Sequence, residues 1–235
     1  MSFQPTDPIS PPFETAELRR LLTGFLNQCM PDPTSGSEVP VGNFKFGVYA
    51  FFDYDGEPIY VGQTNEKLRT RIRRHLTNQR TDAVAMKVLD PFEVFEIEVW
   101  PLPQYEGRTT ADPEAKGHLN WLEFEVFRFL ITRSKFNAIL NEKDPLSVPD
   151  IGYMRPPSLR GRVVSETVVD LRGHPDTRIA RRAETLSLLA KVISERQVQV
   201  GLRRTLLTQA RRLAWLAERR LEELAGIPEE DDRDT

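Results

Sequence analysis

Six consecutive residues, Gly47 to Phe52, are apolar, aromatic or glycine, and they end at Asp53-Tyr54-Asp55-Gly56, a composition that predicts a strand running into a turn. Pro58 to Gly62 predicts a second short strand. The two strands form a hairpin that brings Tyr49 and Tyr60 together, with both hydroxyls able to face one place. Residues 67–80 then carry Lys67, Arg69, Arg71, Arg73, Arg74, His75 and Arg80 without one acidic residue. If this stretch is a helix, Arg71 and His75 lie one turn apart on the same face, because positions i and i+4 are neighbours.

Around this centre the hydrophobic period changes from segment to segment. Leu18, Leu21, Leu22, Phe25 and Leu26 recur at helical spacing in residues 13–30, with Glu14 and Glu17 near the start, which predicts a packing helix. Residues 31–42, with Pro31, Pro33, Gly36, Pro40 and Gly42, predict a loop. A short helix or turn is expected over 81–89. In residues 92–102, Phe92, Val94, Phe95, Ile97 and Val99 interleave with Glu93, Glu96 and Glu98, the period of a half-buried third strand. A polar loop follows, and then a helix over 117–131 with the apolar stripe Leu119, Leu122, Val126, Phe127 and Leu130. Glu123 falls inside that stripe and Glu125 outside it. A carboxylate on a packing face is costly to desolvate without a cation or donors beside it. A bound divalent metal would account for Glu123; so would a place at the stripe's edge, with water or an arginine as partner.

Taken in order, these segments resemble the GIY-YIG nuclease family over residues 44–145. The blocks are Gly47-Val48-Tyr49, then Tyr60-Val61-Gly62, then Leu68-Arg69-Thr70-Arg71-Ile72 with His75, then Leu122-Glu123 with Val126-Phe127, and finally Phe136-Asn137 with Leu140 and Lys143-Asp144-Pro145. The resemblance implies an α+β fold, a small three-stranded antiparallel sheet flanked by helices, here with an N-terminal helix and a C-terminal helical extension. It also implies a metal-dependent DNA endonuclease. Glu123 would hold one Mg2+ or Mn2+ and Arg71 would clamp the scissile phosphate. Tyr49 would take the proton of the attacking water, Tyr60 and His75 would orient phosphate or water, and Asn137 would support the junction of sheet and helix. A tyrosine at its ordinary pKa of about 10 is a poor base at neutral pH, so the Tyr49 role requires a depressed pKa. Lys67, Arg69, Arg73 and Arg74 are expected to meet phosphates other than the scissile one. Two departures stand out: Gln63 occupies the place where the family's excision-repair branch carries lysine, and the interval from Glu123 to Asn137 is two residues longer than in that branch.

The remaining chain divides by composition into a flexible Pro-rich arm (1–12), the helix and loop at 13–43, a connector (146–175), a basic helical region (176–225) and an acidic tail (226–235). Val163, Val164, Val168 and Val169 give residues 162–171 a strand-like character. Asp176 is a good N-cap and Gly226 a good stop for one amphipathic basic helix or for a helix pair broken near Gly201. Between Arg178 and Arg220 there are eleven Lys or Arg and three Glu. That region could bind DNA, with Arg211 and Arg212 as contacts, or form a solvated hairpin or a homo-oligomer contact. The net charge of -3 makes positive charge a local property here, and phosphate binding needs local charge. A single cysteine, Cys29, excludes an intramolecular disulfide framework and a cysteine zinc site, which fits a cytoplasmic protein. No apolar run reaches membrane length and the first residues lack a leader pattern, so neither a membrane span nor secretion is expected. Restriction or phage defence is favoured over structure-specific repair cutting by the chain's own extra helices. The rival reading is a catalytically idle GIY-YIG module that only binds nucleic acid, against which the intact Tyr49, Tyr60, Arg71, His75 and Glu123 argue.

Overall fold

A computed structural model describes residues 13–77, 89–141, 143–148 and 152–226. The arm at 1–12, the expected short helix or turn over 81–89 apart from Leu89, and the tail at 226–235 apart from Gly226 lie outside the described residues. Gly47–Phe52 (β3) and Pro58–Thr64 (β4) form the expected hairpin, and Leu68–Leu76 (α2) follows it directly. Ahead of them stand Phe13–Leu26 (α1) and a small hairpin, Cys29–Asp32 (β1) with Ser37–Pro40 (β2). This second hairpin occupies the stretch that its prolines and glycines mark as loop. It is a separate two-stranded sheet.

The main sheet is antiparallel with the order β4-β3-β5-β6, where β5 is Glu96–Pro101 and β6 is Leu159–Arg162. It therefore has four strands, one more than the sequence suggests. β5 starts late because Asp90 caps a 3-10 turn at Pro91–Glu93 and Phe95 already bonds to the Phe52 carbonyl across the sheet. The fourth strand ends where the valine run begins: Ser165 accepts the Val168 N–H and starts a helix, Glu166–Arg172 (α4), so Val168 and Val169 are helical. A local hydroxyl cap outcompetes the β propensity of two valines here.

All six residues of β3 are buried, so the central strand has two covered faces. Val48, Ala50 and Phe52 meet Leu119, Leu122 and Val126 of the helix Pro113–Ile131 (α3), which Asp112 caps through the Ala115 N–H. Tyr49 and Phe51 point the other way, into a core with Leu22 and Phe25 of α1 and Leu68 and Ile72 of α2. This alternation places the tyrosines and α2 on one face and Glu123 on a helix of the other. The two groups approach each other at β4, one of the sheet's two edge strands.

The C-terminal region is an antiparallel pair, Pro175–Glu195 (α5) and Val200–Ala225 (α6). The break falls at residues 196–199, just ahead of Gly201, and Gly226 ends α6 as expected. The N-cap of α5 is His174 rather than Asp176, since Pro175 takes the first helical position. Asp53, in the β3–β4 turn, anchors the pair. Its Oδ1 accepts the N–H groups of Asp55 and Glu57, while Oδ2 takes Arg182 at 2.8 Å and Arg212. Arg178 bonds Asp55, and Arg182 Nε reaches Glu93 at 3.0 Å. Among the described residues no helix is long and apolar enough to cross a membrane.

Candidate active site

The strand register explains both glycines of the tyrosine motifs. Gly62 sits opposite Tyr49 on β4, and the Tyr49 ring lies across it: a Cβ on Gly62 would stand 2.6 Å from Tyr49 Oη and 2.9 Å from Tyr60 Cε1. At Gly47 a Cβ would stand 2.9 Å from the Trp100 carbonyl oxygen of the neighbouring strand. Both distances are shorter than nonbonded atoms tolerate, so these positions admit no side chain without moving a functional ring or the sheet.

Tyr49, Tyr60 and His75 form one aromatic cluster. The tyrosine rings stack at 6.2 Å, Tyr60 and His75 lie 5.1 Å apart, and Tyr49 Oη is 2.9 Å from His75 Nε2. Arg71, one turn before His75, hydrogen-bonds the Tyr49 hydroxyl. Burial, with Tyr60 adding to it, pushes Tyr49 well above 10, and the pull of Arg71 does not offset this. The depressed pKa that a lone tyrosine base would need is therefore absent, because desolvation of a phenolate outweighs one guanidinium. Burial first, and then Arg71 and Arg74, lowers His75 to about 3. The imidazole is thus neutral and hydrogen-bonded to Tyr49, while its Nδ1 is buried without a partner.

Glu123 comes from α3 to the open edge of β4. There its carboxylate takes the Gln63 backbone N–H and sits within the field of Arg71; burial raises it to about 7. Two positions along the same edge, the Asn141 side chain accepts the Val61 N–H at 3.0 Å and donates to the Val61 carbonyl at 2.7 Å. An edge strand carries backbone groups that need partners, and these two side chains supply them. Asn137 does not do this. It is exposed, holds a positive φ of 49°, and makes no side-chain hydrogen bond among the described residues. The support expected of Asn137 thus belongs to Asn141, four residues later, because the turn at Ser134 to Asn137 carries Asn137 outward before the chain returns to β4.

A groove of about 260 Å³ is lined in part by Gln63, Asn65, Glu66, Arg71, Lys116 and Asn120; Glu123 is not part of its lining. Gln63 donates to Asn120 Oδ1 at 2.9 Å, and its own Oε1 is buried without a partner. Sequence reasoning did not select Lys116 and Asn120. They stand seven and three residues before Glu123, on its helical face, and that spacing was the available signal.

The expected phosphate contacts divide. Lys67 is exposed at the start of α2. Arg69 donates to Asn27 Oδ1 at 2.8 Å and Arg73 to Thr23 Oγ1 at 2.9 Å, so both dock α2 onto α1. Arg74 pairs with Glu66 at 2.8 Å. Arg211 is exposed, but Arg212 is only 2% exposed and spent on Asp53. The assignment of Arg212 to nucleic acid is therefore corrected: a buried guanidinium holding a buried carboxylate cannot reach a phosphate.

Residues 45–105 match the family model described as the GIY-YIG catalytic domain. The chain carries a GIY-YIG domain. The match agrees with the α+β fold and antiparallel sheet already described. The match covers both tyrosine motifs and α2 and stops before α3, so it does not reach Glu123 or Asn141. No curated protein and no solved structure gives a match.

Proposed function

We propose that the protein is a divalent-metal-dependent endonuclease that hydrolyses DNA phosphodiester bonds at the groove between α2 and α3. The observation that carries this reading is the arrival of Glu123, from the opposite face of the sheet, beside Arg71 and the Tyr49–His75 pair. A module that only bound nucleic acid would gain nothing from a half-buried carboxylate next to a phosphate site, because the two repel.

Among the described residues no cluster of three His, Cys, Asp or Glu could enclose a metal. The site still suits a hard, hydrated ion. Glu123 supplies one carboxylate, and its neighbour Gln63 carries an Oε1 that is buried without a partner, an oxygen set that fits Mg2+ or Mn2+ better than a thiophilic or imidazole-seeking ion. When bound, such an ion would neutralise charge developing on the phosphate. Arg71 supports the same phosphate with paired charge-assisted bonds. Tyr49 stays protonated and His75 stays neutral at neutral pH, so the pair orients the attacking water by hydrogen bonds, and the water's proton leaves to a phosphate oxygen or to solvent. Tyr60, stacked on Tyr49 and tilted against His75, holds the pair in place. Lys116 and Asn120 line the approach of the substrate strand.

Glu123→Gln should abolish cleavage of plasmid DNA in Mg2+ while DNA binding in EDTA stays near that of the parent, and Glu125→Ala should keep most activity. Loss of cleavage in Glu125→Ala with retention in Glu123→Gln would overturn the assignment. Restriction or phage defence, in the cytoplasm, is the setting we favour. It predicts cutting at a short duplex sequence, whereas repair-type cutting would show preference for branched over linear DNA of the same sequence.

A further inference from the structure

The core-facing side of α6 is clear from burial: Leu202, Thr205, Thr208, Gln209, Arg212 and Leu216 are its buried residues. The opposite side is also apolar. Leu207 is 52% exposed, Leu221 68% and Leu224 46%, with exposed Ala214 and Ala217 between them. Leu207, Ala214 and Leu221 are seven residues apart, and so are Ala210, Ala217 and Leu224. That is a two-position heptad seam, displayed to solvent on the face away from the protein's own core. Solvent-facing helices ordinarily carry polar residues there.

The charges on this face indicate what covers it. Arg204, Arg219 and Arg220 are engaged within the chain, by Asp144, Glu223 and Asp176. Arg211 and Glu218, which flank the seam seven residues apart, are exposed and have no ion-pair partner among the described residues. In an antiparallel pair of identical helices, a register that sets Leu207 against Leu224 of the other copy also sets Ala214 against Ala217 and brings each Arg211 beside the other copy's Glu218. Sliding by one heptad in one direction faces Arg211 with Arg211; sliding in the other faces Glu218 with Glu218. Of these three registers, only the first joins Leu207 to Leu224, Ala214 to Ala217 and cation to anion; it sets Leu221 against Ala210. The central alanines let two helices approach to about 8 Å.

From this complementarity we infer that α6 is a homodimerisation helix and that a second copy of this chain packs antiparallel on the Leu207–Leu224 seam. The inference does not depend on the nuclease reading. Sedimentation equilibrium of the full chain should show a concentration-dependent species of twice the 27.0 kDa chain mass. Arg211→Glu should raise the dissociation constant roughly tenfold, since two symmetric pairs become repulsive, and the double variant Arg211→Glu with Glu218→Arg should restore it. Leu221→Glu should give a monomer whose circular dichroism equals that of the parent. In a Cys29→Ser background, mixing an Ala214→Cys chain with an Ala217→Cys chain should form the mixed disulfide faster than either chain forms its own. A chain monomeric at every concentration reached would overturn the proposal. So would a dimer indifferent to Arg211→Glu and Leu221→Glu.

Discussion

Asp53→Ala is the sharpest test of how the C-terminal helices are held. Two guanidiniums, Arg182 and Arg212, are 3% and 2% exposed and share one carboxylate oxygen of Asp53. Removing one partner of a buried ion pair costs roughly 3–5 kcal/mol, because the remaining charge is left desolvated. Asp53 Oδ1 also accepts the Asp55 and Glu57 N–H groups, each worth about 1 kcal/mol. Glu93 still meets Arg182, which moderates the total. The sum is about 5 kcal/mol, the lower end of the whole stability of a typical domain, and at roughly 2–4 °C per kcal/mol it lowers Tm by about 10–20 °C. Urea melts followed by far-ultraviolet circular dichroism would measure it. The reasoning makes a second demand: Arg212→Met in the Asp53→Ala background removes one stranded cation and should recover part of the loss, giving a favourable coupling energy between the two sites. If Asp53→Ala lies within about 1 kcal/mol of the parent, or the double variant is no more stable than the single, the network does not hold the helices as argued.

Gly62→Ala should cut turnover far more than it lowers Tm, because its methyl displaces the Tyr49 hydroxyl and the Tyr60 ring; equal rates in a single-turnover assay would count against a role for the tyrosines in the reaction. Asn141→Ala should destabilise by about 1–3 kcal/mol through the two Val61 groups it strands, whereas Asn137→Gly should be neutral or slightly stabilising at φ 49°. The reverse ranking in urea melts would return the support role to Asn137. For His75 the folded pKa is depressed to about 3, so the unfolded chain takes up a proton near pH 6.5 that the folded chain refuses. Stability should therefore fall as pH drops from about 6.5 towards 3, by up to ~1.4 kcal/mol per unit from this group. His75→Gln should flatten that slope between pH 6.5 and about pH 4.5, and an unchanged slope would show that His75 is not held neutral.

What could be read from the sequence was what adjacent residues decide. The turn after Phe52, the strand after Pro58 and the shared face of Arg71 and His75 depend on neighbours within a few positions, and all three hold in the structure. Glu123 stood out because a helical stripe makes an acid conspicuous, and the structure supplies its donor as the Gln63 N–H. Asn137 and Asn141 could not be ranked, since only the path of the 134–141 turn decides which asparagine reaches the β4 edge. The fourth strand was hidden for a similar reason: Leu-Arg-Gly-Arg has little β character, and its pairing partner Glu96–Val99 lies some sixty residues upstream. Gly161 is required there by packing, as a Cβ would stand 2.8 Å from the Phe25 ring.

The arginine pairs of the C-terminal helices show where local reading stops. Successive helix residues are about 100° apart, so Arg211 and Arg212 point to different sides of α6 although they are chemically identical in sequence. Arg212 faces inward and finds Asp53, 159 residues earlier in the chain. Arg182 does the same from α5. Part of the basic composition of this region, Arg178, Arg182, Arg212 and Arg219, therefore answers the acidic groups of the hairpin turn rather than phosphate. The same hairpin presents Tyr49 and Tyr60 at one end of its strands and Asp53 and Asp55 at its turn. Docking α5 and α6 on that turn thus braces the strands that carry the tyrosines, and it couples the integrity of the active site to ion pairs that never approach the substrate.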